Sequence, residues 1–366
     1  MSRPPEIAAW TALRGLAALW VVLFHFWPQT AAPVPLLVAR GYLAVDLFFC
    51  LSGAVMMLVY APLIPGGDFG PGRFLWRRFA RLYPVHLVTL GLAALILAFG
   101  PAFAPARPLS YDIGEMALLH LALLHAWGMT ETGGLNYPSW SIAAEAFAYL
   151  LFPLLAAWML RLPPGRALAS SLAVAMIWIT AIEAALPAPG LAFTRLENDF
   201  GGLRILPEFL VGMGLAYLFG GRHAPRLGRA LCAAAVALQA AAIASQADAL
   251  FLAGLPLLLA GLLLWRPGPP RALLYLGRIS YCLYMVHALV QIPGFKLIEQ
   301  FTESADRAAP GWALPLLLAL SLCAADRLHR WVEAPARRLL LRGPAPARED
   351  QGSAPNDSPP PAPAPP

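Results

Sequence analysis

The sequence has few charged residues. Only 13% of its 366 residues are charged, and lysine occurs once, at Lys296. Soluble globular domains carry about 25% charged residues, whereas hydrophobic residues reach 59% here. This composition excludes an ordinary soluble globule and predicts a membrane protein with several spans. The net charge of +6 then mainly sets orientation in the bilayer and gives no indication of nucleic-acid binding.

Cysteine motifs are also lacking. The four cysteines show neither a C-x-x-C pattern nor the Cys/His spacing of a metal site. All four lie in apolar stretches, where a free cysteine is usually a small buried residue. We therefore expect no disulfide and no metal.

Ten segments are apolar and long enough to span a bilayer. Residues 1–6 are too short and too weakly basic for the start of a cleaved signal peptide, so the first segment is expected to remain as a span. The predicted spans are residues 8–27, 41–60, 83–103, 139–160, 168–187, 203–220, 230–247, 249–265, 273–293 and 312–333.

The stretch 113–128 is ambiguous, because it is short and contains Glu115, His120 and His125. If it does not cross, a cytoplasmic N-terminus places most Arg residues inside. If it does cross, most of them lie outside, against the positive-inside rule. The sequence therefore predicts an all-α integral membrane protein of about ten transmembrane helices, with both termini cytoplasmic and this stretch interfacial or re-entrant.

Two regions follow from this organisation. Residues 1–342 form the transmembrane domain. Residues 343–366 are rich in Pro and Ala, cannot bury a core, and are expected to form a disordered cytoplasmic tail. With no soluble domain of useful size, any chemistry belongs to the helix bundle and its loops.

The first span carries Arg14 and His25. Eleven helical steps return them to nearly the same face, about 16 Å apart along the axis. The simpler interpretation is that Arg14 snorkels to the headgroups and His25 lies at the outer interface. The functional interpretation is favoured because an arginine at this depth is costly. It gives a cation toward the inside and an imidazole that can act as general base toward a hydroxyl.

Two carboxylates lie about one and a half turns inside their spans. Asp46 lies in the second span and Glu145 in the fourth. Their depth, about 9 Å, is similar to that of His25, so we expect a shared polar cavity. For Asp46, a structural tie to another span is as plausible as a catalytic role. Ser52 lacks the context of a nucleophile and is interpreted as a packing residue.

The run RRFARLYP (residues 77–84) enters the third span from the inside. Arg78 and Arg81 share a helix face, and guanidinium groups suit the phosphates of an anionic cofactor such as a coenzyme A thioester. The alternative is an ordinary positive-inside anchor. In the ninth span, His287 is more simply explained as a satisfied core histidine. At the inner end of the tenth, Glu333 is expected to pair with Arg330 or Arg337.

Together these motifs resemble the membrane-bound acyltransferase 3 family. The resemblance consists of R-x10-H at Arg14 and His25, VDLFF followed by LSG, R-x-x-R-x-x-P, W-S-x-x-x-E, LG-x-I-S-Y-x-x-Y-x-x-H, and V-E-x-P near the end. They fall in the family's order and cover about residues 7–338. One departure is the alanines around Glu145, where many members have more polar residues.

The resemblance implies transfer of an acyl group, often acetyl, from cytoplasmic acyl-CoA to a hydroxyl of a sugar, polysaccharide, lipid or secondary metabolite. We hypothesise that Arg78 and Arg81 hold the phosphates while Arg14 orients the thioester or its pantetheine arm. His25 would deprotonate the acceptor, with Glu145 or Asp46 orienting its imidazole. The high Ala, Pro and Arg content indicates a bacterial protein of the cytoplasmic (inner) membrane.

Two other functions remain open at this point. A transporter or flippase for a glycan or lipid also uses intramembrane charges, although no inverted repeat is evident. An inactive family member acting as a membrane sensor is the third possibility, and retention of the motif residues argues against it.

Overall fold

The protein is helical throughout the part that the structure describes. The computed structural model describes residues 7–99, 112–130, 133–186, 192–302 and 308–341, so the predicted tail, 343–366, lies outside the described residues. Within these ranges the one β pairing is an isolated bridge between Thr30 and Ala309. The α-helices are α1 Ala8–Phe26, α2 Leu36–Ala39, α3 Ala44–Tyr60, α4 Pro71–Phe99, α5 Ile113–Leu121, α6 Trp140–Met159, α7 Pro164–Ala185, α8 Gly201–Phe219, α9 Pro225–Ser245, α10 Asp248–Trp265, α11 Arg271–Thr302, α12 Ala313–Leu328 and α13 Ala334–Leu340.

Among the described residues, nine helices are long and apolar enough to cross a membrane. This confirms the all-α integral membrane fold. Helices suit a bilayer because each pairs its backbone N–H and C=O groups within itself. The expected tenth span differs from the other nine. Its regular part, α12, has 16 residues, or about 24 Å, and continues through a π-helical turn, His329–Glu333, into α13.

α3 and α8 form the centre of the bundle. Each has 72% of its most apolar window buried within the protein, compared with 17% for α7 and 22% for α9. α3 packs mainly against α8, α1 against α11, and α9 against α10. The outer helices therefore present most of their apolar surface to lipid, and the polar side chains of the inner helices are enclosed by protein.

The stretch 113–128 does not cross the bundle. Its helix, α5, has only 9 residues and ends beside the middle of α4, where the Tyr83 hydroxyl donates to the Leu121 carbonyl at 2.9 Å. The backbone then turns at Leu123, which has a φ of 57°. With 9 helical residues followed by a turn, the stretch holds no helix long enough to span a bilayer.

Contacts between loops agree with the predicted topology. Arg40 lies before α3 and forms an ion pair of 2.7 Å with Asp248 at the start of α10. Thr194, which precedes α8, donates to the same aspartate at 2.6 Å. All three residues were predicted on the outer side. The predicted topology places an even number of spans between any two of them, so the contacts they make are consistent with it.

Glycines allow the central helices to approach closely. A Cβ on Gly277 of α11 would lie 1.9 Å from the Thr11 carbonyl oxygen of α1, and one on Gly53 of α3 would lie 1.9 Å from the Phe209 carbonyl oxygen of α8. Small residues at such crossings let backbones pack where lipid supplies no hydrophobic driving force. These two crossings fix the positions of the helices that carry the polar side chains.

We expect Gly277→Ala to destabilise the protein by about 1–3 kcal/mol, because the added methyl group overpacks the crossing of α1 and α11. Gly91→Ala in α4 is the matched control, since nothing lies within 4 Å of its Cβ position and alanine is the better helix former. Thermal unfolding in detergent measures both variants. A Gly277→Ala protein as stable as the Gly91→Ala protein would contradict the packing argument.

Candidate active site

A polar cavity of about 110 Å³ lies between α1, α3, α4, α6 and α11. Three arginines face it, namely Arg14, Arg78 and Arg81, and one carboxylate, that of Glu145. Its other polar lining comes from serine and tyrosine side chains, namely Ser52, Ser141, Tyr149, Ser280, Tyr281 and Tyr284. The structure thus brings four of the predicted site residues together. The formal excess of positive charge makes the cavity suited to an anionic ligand.

The two arginines of α4 point into the cavity from one helix face. Arg78 donates to the Tyr60 hydroxyl at 3.0 Å and lies over the Tyr60 and Tyr149 rings, 5.4 Å and 5.9 Å from their centroids. Among the described residues, the Nε of Arg78 has no hydrogen-bond partner. Arg81 forms no ion pair within 4.0 Å with any of the described residues. Both guanidinium groups therefore retain capacity to bind an anion.

Glu145 is held by two hydroxyl groups. The Ser52 hydroxyl and the Tyr149 hydroxyl each donate to its Oε1 at 2.5 Å. The Ser52 bond ties α6 to α3 at the cavity wall, whereas the Tyr149 bond lies within α6. Ser52 is therefore more than the packing residue expected from the sequence, because it positions the one carboxylate of the cavity.

His25 lies outside the cavity and pairs with a second histidine. Its Nδ1 is 3.0 Å from the Val21 carbonyl oxygen and 3.3 Å from Nε2 of His287. Nδ1 of His287 is 2.6 Å from the Tyr284 carbonyl oxygen. These contacts assign the proton of each ring to Nδ1. His25 then presents an unprotonated Nε2, as a general base requires.

The histidine pair is enclosed by polar groups. Gln291 donates from Nε2 to the His25 carbonyl oxygen at 2.7 Å, and the Tyr137 hydroxyl donates to Gln291 Oε1 at 2.7 Å. The Tyr137 ring lies 5.0 Å from the His25 ring. Residues from α1, α11 and the turn before α6 therefore converge at this point.

Tyr284 connects the two polar regions. Its side chain lines the cavity, while its ring centroid is 5.8 Å from that of His287. Arg14 reaches the cavity from the helix that carries His25, whereas His25 does not line the cavity. Tyr284 therefore adjoins both the cationic cavity and the imidazole pair.

The expected partners of His25 are not found. Asp46 is fully buried and accepts two hydrogen bonds from Arg204 of α8, at 3.0 Å from Nε and 2.9 Å from Nη2. Glu145 faces the arginines instead. Equal depth in the bilayer misled the prediction, because Asp46 lies on the side of α3 that faces α8. Among the described residues, His25 contacts neither carboxylate.

A family model for the acyltransferase domain of type 3 matches residues 7–328. The chain belongs to the acyltransferase 3 family. It is accordingly an acyl-transferring enzyme embedded in a membrane. This membership confirms the resemblance and favours the enzymatic interpretation over a transporter.

Two relatives extend the comparison. Acyltransferase MdmB of Streptomyces mycarofaciens is 29% identical over an alignment of 377 positions. The alignment covers 93% of this chain and 94% of the relative. Protein 2 in picA locus of Rhizobium radiobacter is 43% identical over 93 residues, which is 25% of this chain and 47% of the relative. No solved structure matches this acyltransferase.

The stretch 113–128 of the acyltransferase carries two further buried histidines. The rings of His120 and His125 stack at 3.8 Å, and both lie within hydrogen-bond distance of the Ser139 hydroxyl, at 3.2 Å and 3.0 Å. Burial, with the neighbouring imidazoles, lowers the pKa of His120 to about 2 and that of His125 to about 4. Both are neutral at ordinary pH and hold the segment against α6.

Sequence reasoning missed several side chains of this acyltransferase site. Arg204 carried a usable signal, since an arginine inside an apolar segment requires a partner. His287 was noted and assigned to the core, although it contacts His25. Tyr149 and Tyr137 gave no separate signal, because aromatic residues are common in membrane helices.

We expect the Asp46 and Arg204 pair to be structural. Asp46→Ala leaves a buried guanidinium unpaired and should destabilise the acyltransferase by about 3–5 kcal/mol. The double variant Asp46→Leu/Arg204→Met removes both charges and should recover much of that loss, measured by thermal unfolding in detergent. The pairing argument would fail if the double variant lost as much stability as the sum of the losses caused by replacing Asp46 alone and Arg204 alone.

Proposed function

We propose that this acyltransferase moves an acyl group, with acetyl the expected one, from acyl-CoA to a hydroxyl of a carbohydrate, a lipid-linked glycan or a secondary metabolite. One observation carries the proposal. The Tyr284 side chain lines the arginine cavity, and its ring lies 5.8 Å from the ring of His287, the partner of His25, so a donor anchored by its phosphates at the arginines can direct its thioester toward His25.

The donor side rests on the guanidinium groups. Arg78 and Arg81 bind phosphate oxygens of coenzyme A, which suit the fork of an arginine side chain. Arg14, which lines the cavity from the helix that carries His25, orients the pantetheine arm. No metal takes part in this scheme. Under the predicted topology, the donor enters from the cytoplasmic side, because the N-terminal half of α4, which carries Arg78 and Arg81, lies on that side.

The reaction itself requires one base. Nε2 of His25 takes the proton of the acceptor hydroxyl as its oxygen attacks the thioester carbonyl. The carbon–sulfur bond then breaks, and the departing thiolate takes the proton back from the imidazolium. His287 holds His25 in the required tautomer, the role that the sequence had suggested for a carboxylate. Glu145 instead positions Ser52 and Tyr149 beside the arginines.

The acceptor approaches from the outer side, where Tyr137 and Gln291 surround the histidine pair. Hydroxyl and amide groups of this kind hydrogen-bond the hydroxyls of a sugar. Both relatives come from bacteria, which supports the cytoplasmic (inner) membrane of a bacterium as the location. The enzyme's partners are then the lipid bilayer, acyl-CoA and the hydroxyl acceptor, and no nucleic acid.

Arg81→Ala should weaken binding of acetyl-CoA by roughly 10- to 100-fold, because hydrogen bonds to a charged group contribute about 1.5–3 kcal/mol. Arg77→Ala is the matched control, since Arg77 lies one turn before Arg81 on α4 but is exposed and does not line the cavity. Equilibrium binding of labelled acetyl-CoA to the purified enzyme measures both. An equal effect of the two substitutions would indicate a general surface charge and not a donor site.

His25→Gln should leave acetyl-CoA binding unchanged and lower acyl transfer by roughly 10²- to 10⁴-fold, the usual contribution of a general base. A deletion strain complemented with wild-type or variant protein supplies the assay, with mass spectrometry of surface glycans, lipids and secreted metabolites. Equal acylation in the two complemented strains would refute the assigned role of His25.

A further inference from the structure

Three side chains of metal-ligating type converge behind the cavity. Cys282 of α11 donates from Sγ to Glu333 Oε2 at 3.2 Å, and Nδ1 of His329 lies 2.7 Å from the same oxygen. These three ligand atoms all lie within 4.8 Å of one another. Glu333 was expected to pair with Arg330 or Arg337. Arg330 instead donates to Asp326 at 2.8 Å.

The spacing of these atoms suits a tetrahedral zinc ion. Zinc lies about 2.3 Å from a thiolate and about 2.0–2.2 Å from imidazole nitrogen or carboxylate oxygen. Neighbouring ligands around it are then about 3.3–3.7 Å apart by the tetrahedral geometry. The two hydrogen-bonded separations, 3.2 Å and 2.7 Å, are shorter than this range, and all three ligand atoms lie within 4.8 Å of one another. An ion is accommodated once side-chain rotations move the hydrogen-bonded atoms apart.

The charges also match. A thiolate on Cys282 and the carboxylate of Glu333 neutralise a divalent cation, and the imidazole of His329 adds no charge. A neutral complex is the least costly form of an ion held beside a bilayer, since an uncompensated charge there is expensive. The mixed sulfur, nitrogen and oxygen set favours zinc over magnesium or calcium, which prefer oxygen ligands.

The backbone provides an independent observation. His329 and Glu333 are the first and last residues of the π-helical turn, which interrupts the regular helix between α12 and α13. Single π-helical turns are rare and occur frequently at functional sites. Here the turn brings both side chains to Cys282, which is fully buried. The side chain of His329 remains 25% exposed, leaving room for a water molecule as fourth ligand.

We propose that Cys282, His329 and Glu333 bind one zinc-like divalent cation, which joins α11 to the π-helical turn between α12 and α13. Binding forms the sulfur–metal bond, and the thiol proton leaves to solvent. None of the three residues lines the arginine cavity, although Tyr281, next to Cys282, does, so the site adjoins the acyl-transfer site without sharing a residue with it. The sequence did not indicate a metal because Cys282 lies on a different helix from the other two ligands and far from them along the chain.

Cobalt provides the test. The purified full-length protein is stripped with a chelator and titrated with Co²⁺ in detergent, which should give about one bound equivalent with near-ultraviolet absorption from a thiolate ligand. Cys282→Ser should abolish that absorption, and His329→Gln should retain it while weakening Co²⁺ affinity at least roughly tenfold. Added Zn²⁺ should displace the cobalt.

Cys323→Ser is the matched control, because this cysteine lies on α12 and is exposed. It should keep both the stoichiometry and the thiolate absorption. Size-exclusion chromatography shows whether each variant is folded, and His329→Gln reports on the same site if Cys282→Ser is not. Failure to bind cobalt stoichiometrically, or thiolate absorption that persists in folded Cys282→Ser, would overturn the proposal.

Discussion

The cost of placing charge in a hydrocarbon layer governs this structure. Every ionisable side chain inside the bundle must be paired or face a polar cavity. Asp46 and Arg204 satisfy the requirement as a fully buried pair, which suits a structural connection between α3 and α8. The arginines of the cavity satisfy it differently, because they share a polar chamber and exceed its carboxylate in number. That excess of positive charge is the basis for proposing an anionic donor.

Close helix packing determines where these groups lie. Gly53 follows Ser52 directly, so the tight crossing of α3 and α8 at Gly53 turns Ser52 toward Glu145. Gly15 follows Arg14 in the same way, and a Cβ on Gly15 would lie 2.7 Å from the Gly277 backbone nitrogen. In both cases a residue without a side chain faces the neighbouring helix while the adjacent polar residue faces the cavity. The VDLFF and LSG run thus combines a packing surface with a wall of the site.

The sequence predicted the fold well, because bilayer thickness and the positive-inside rule constrain a membrane protein strongly. Helical spacing also placed Arg78 and Arg81 together on the face of α4 that lines the cavity. On α1 it grouped Arg14 with His25, but only Arg14 lines the cavity. The sequence did not predict how α3 and α6 are rotated. Asp46 lies one turn before Cys50 and two before Gly53, on the stripe that packs against α8. Depth alone suggested that Asp46 and His25 were neighbours, and only the packing of α3 shows that they are not.

The partner of His25 has a chemical consequence for the proposed mechanism. A carboxylate beside His25 in a medium of low dielectric constant would stabilise the imidazolium strongly, and returning its proton to the departing thiolate would then cost more. His287 fixes the tautomer without adding charge. The positive charge of the cavity likewise disfavours a lasting imidazolium. His25 is therefore suited to hold a proton only while the acceptor oxygen attacks and the thiolate leaves. Asp46 is paired with Arg204, and Glu145 accepts hydrogen bonds from Ser52 and Tyr149.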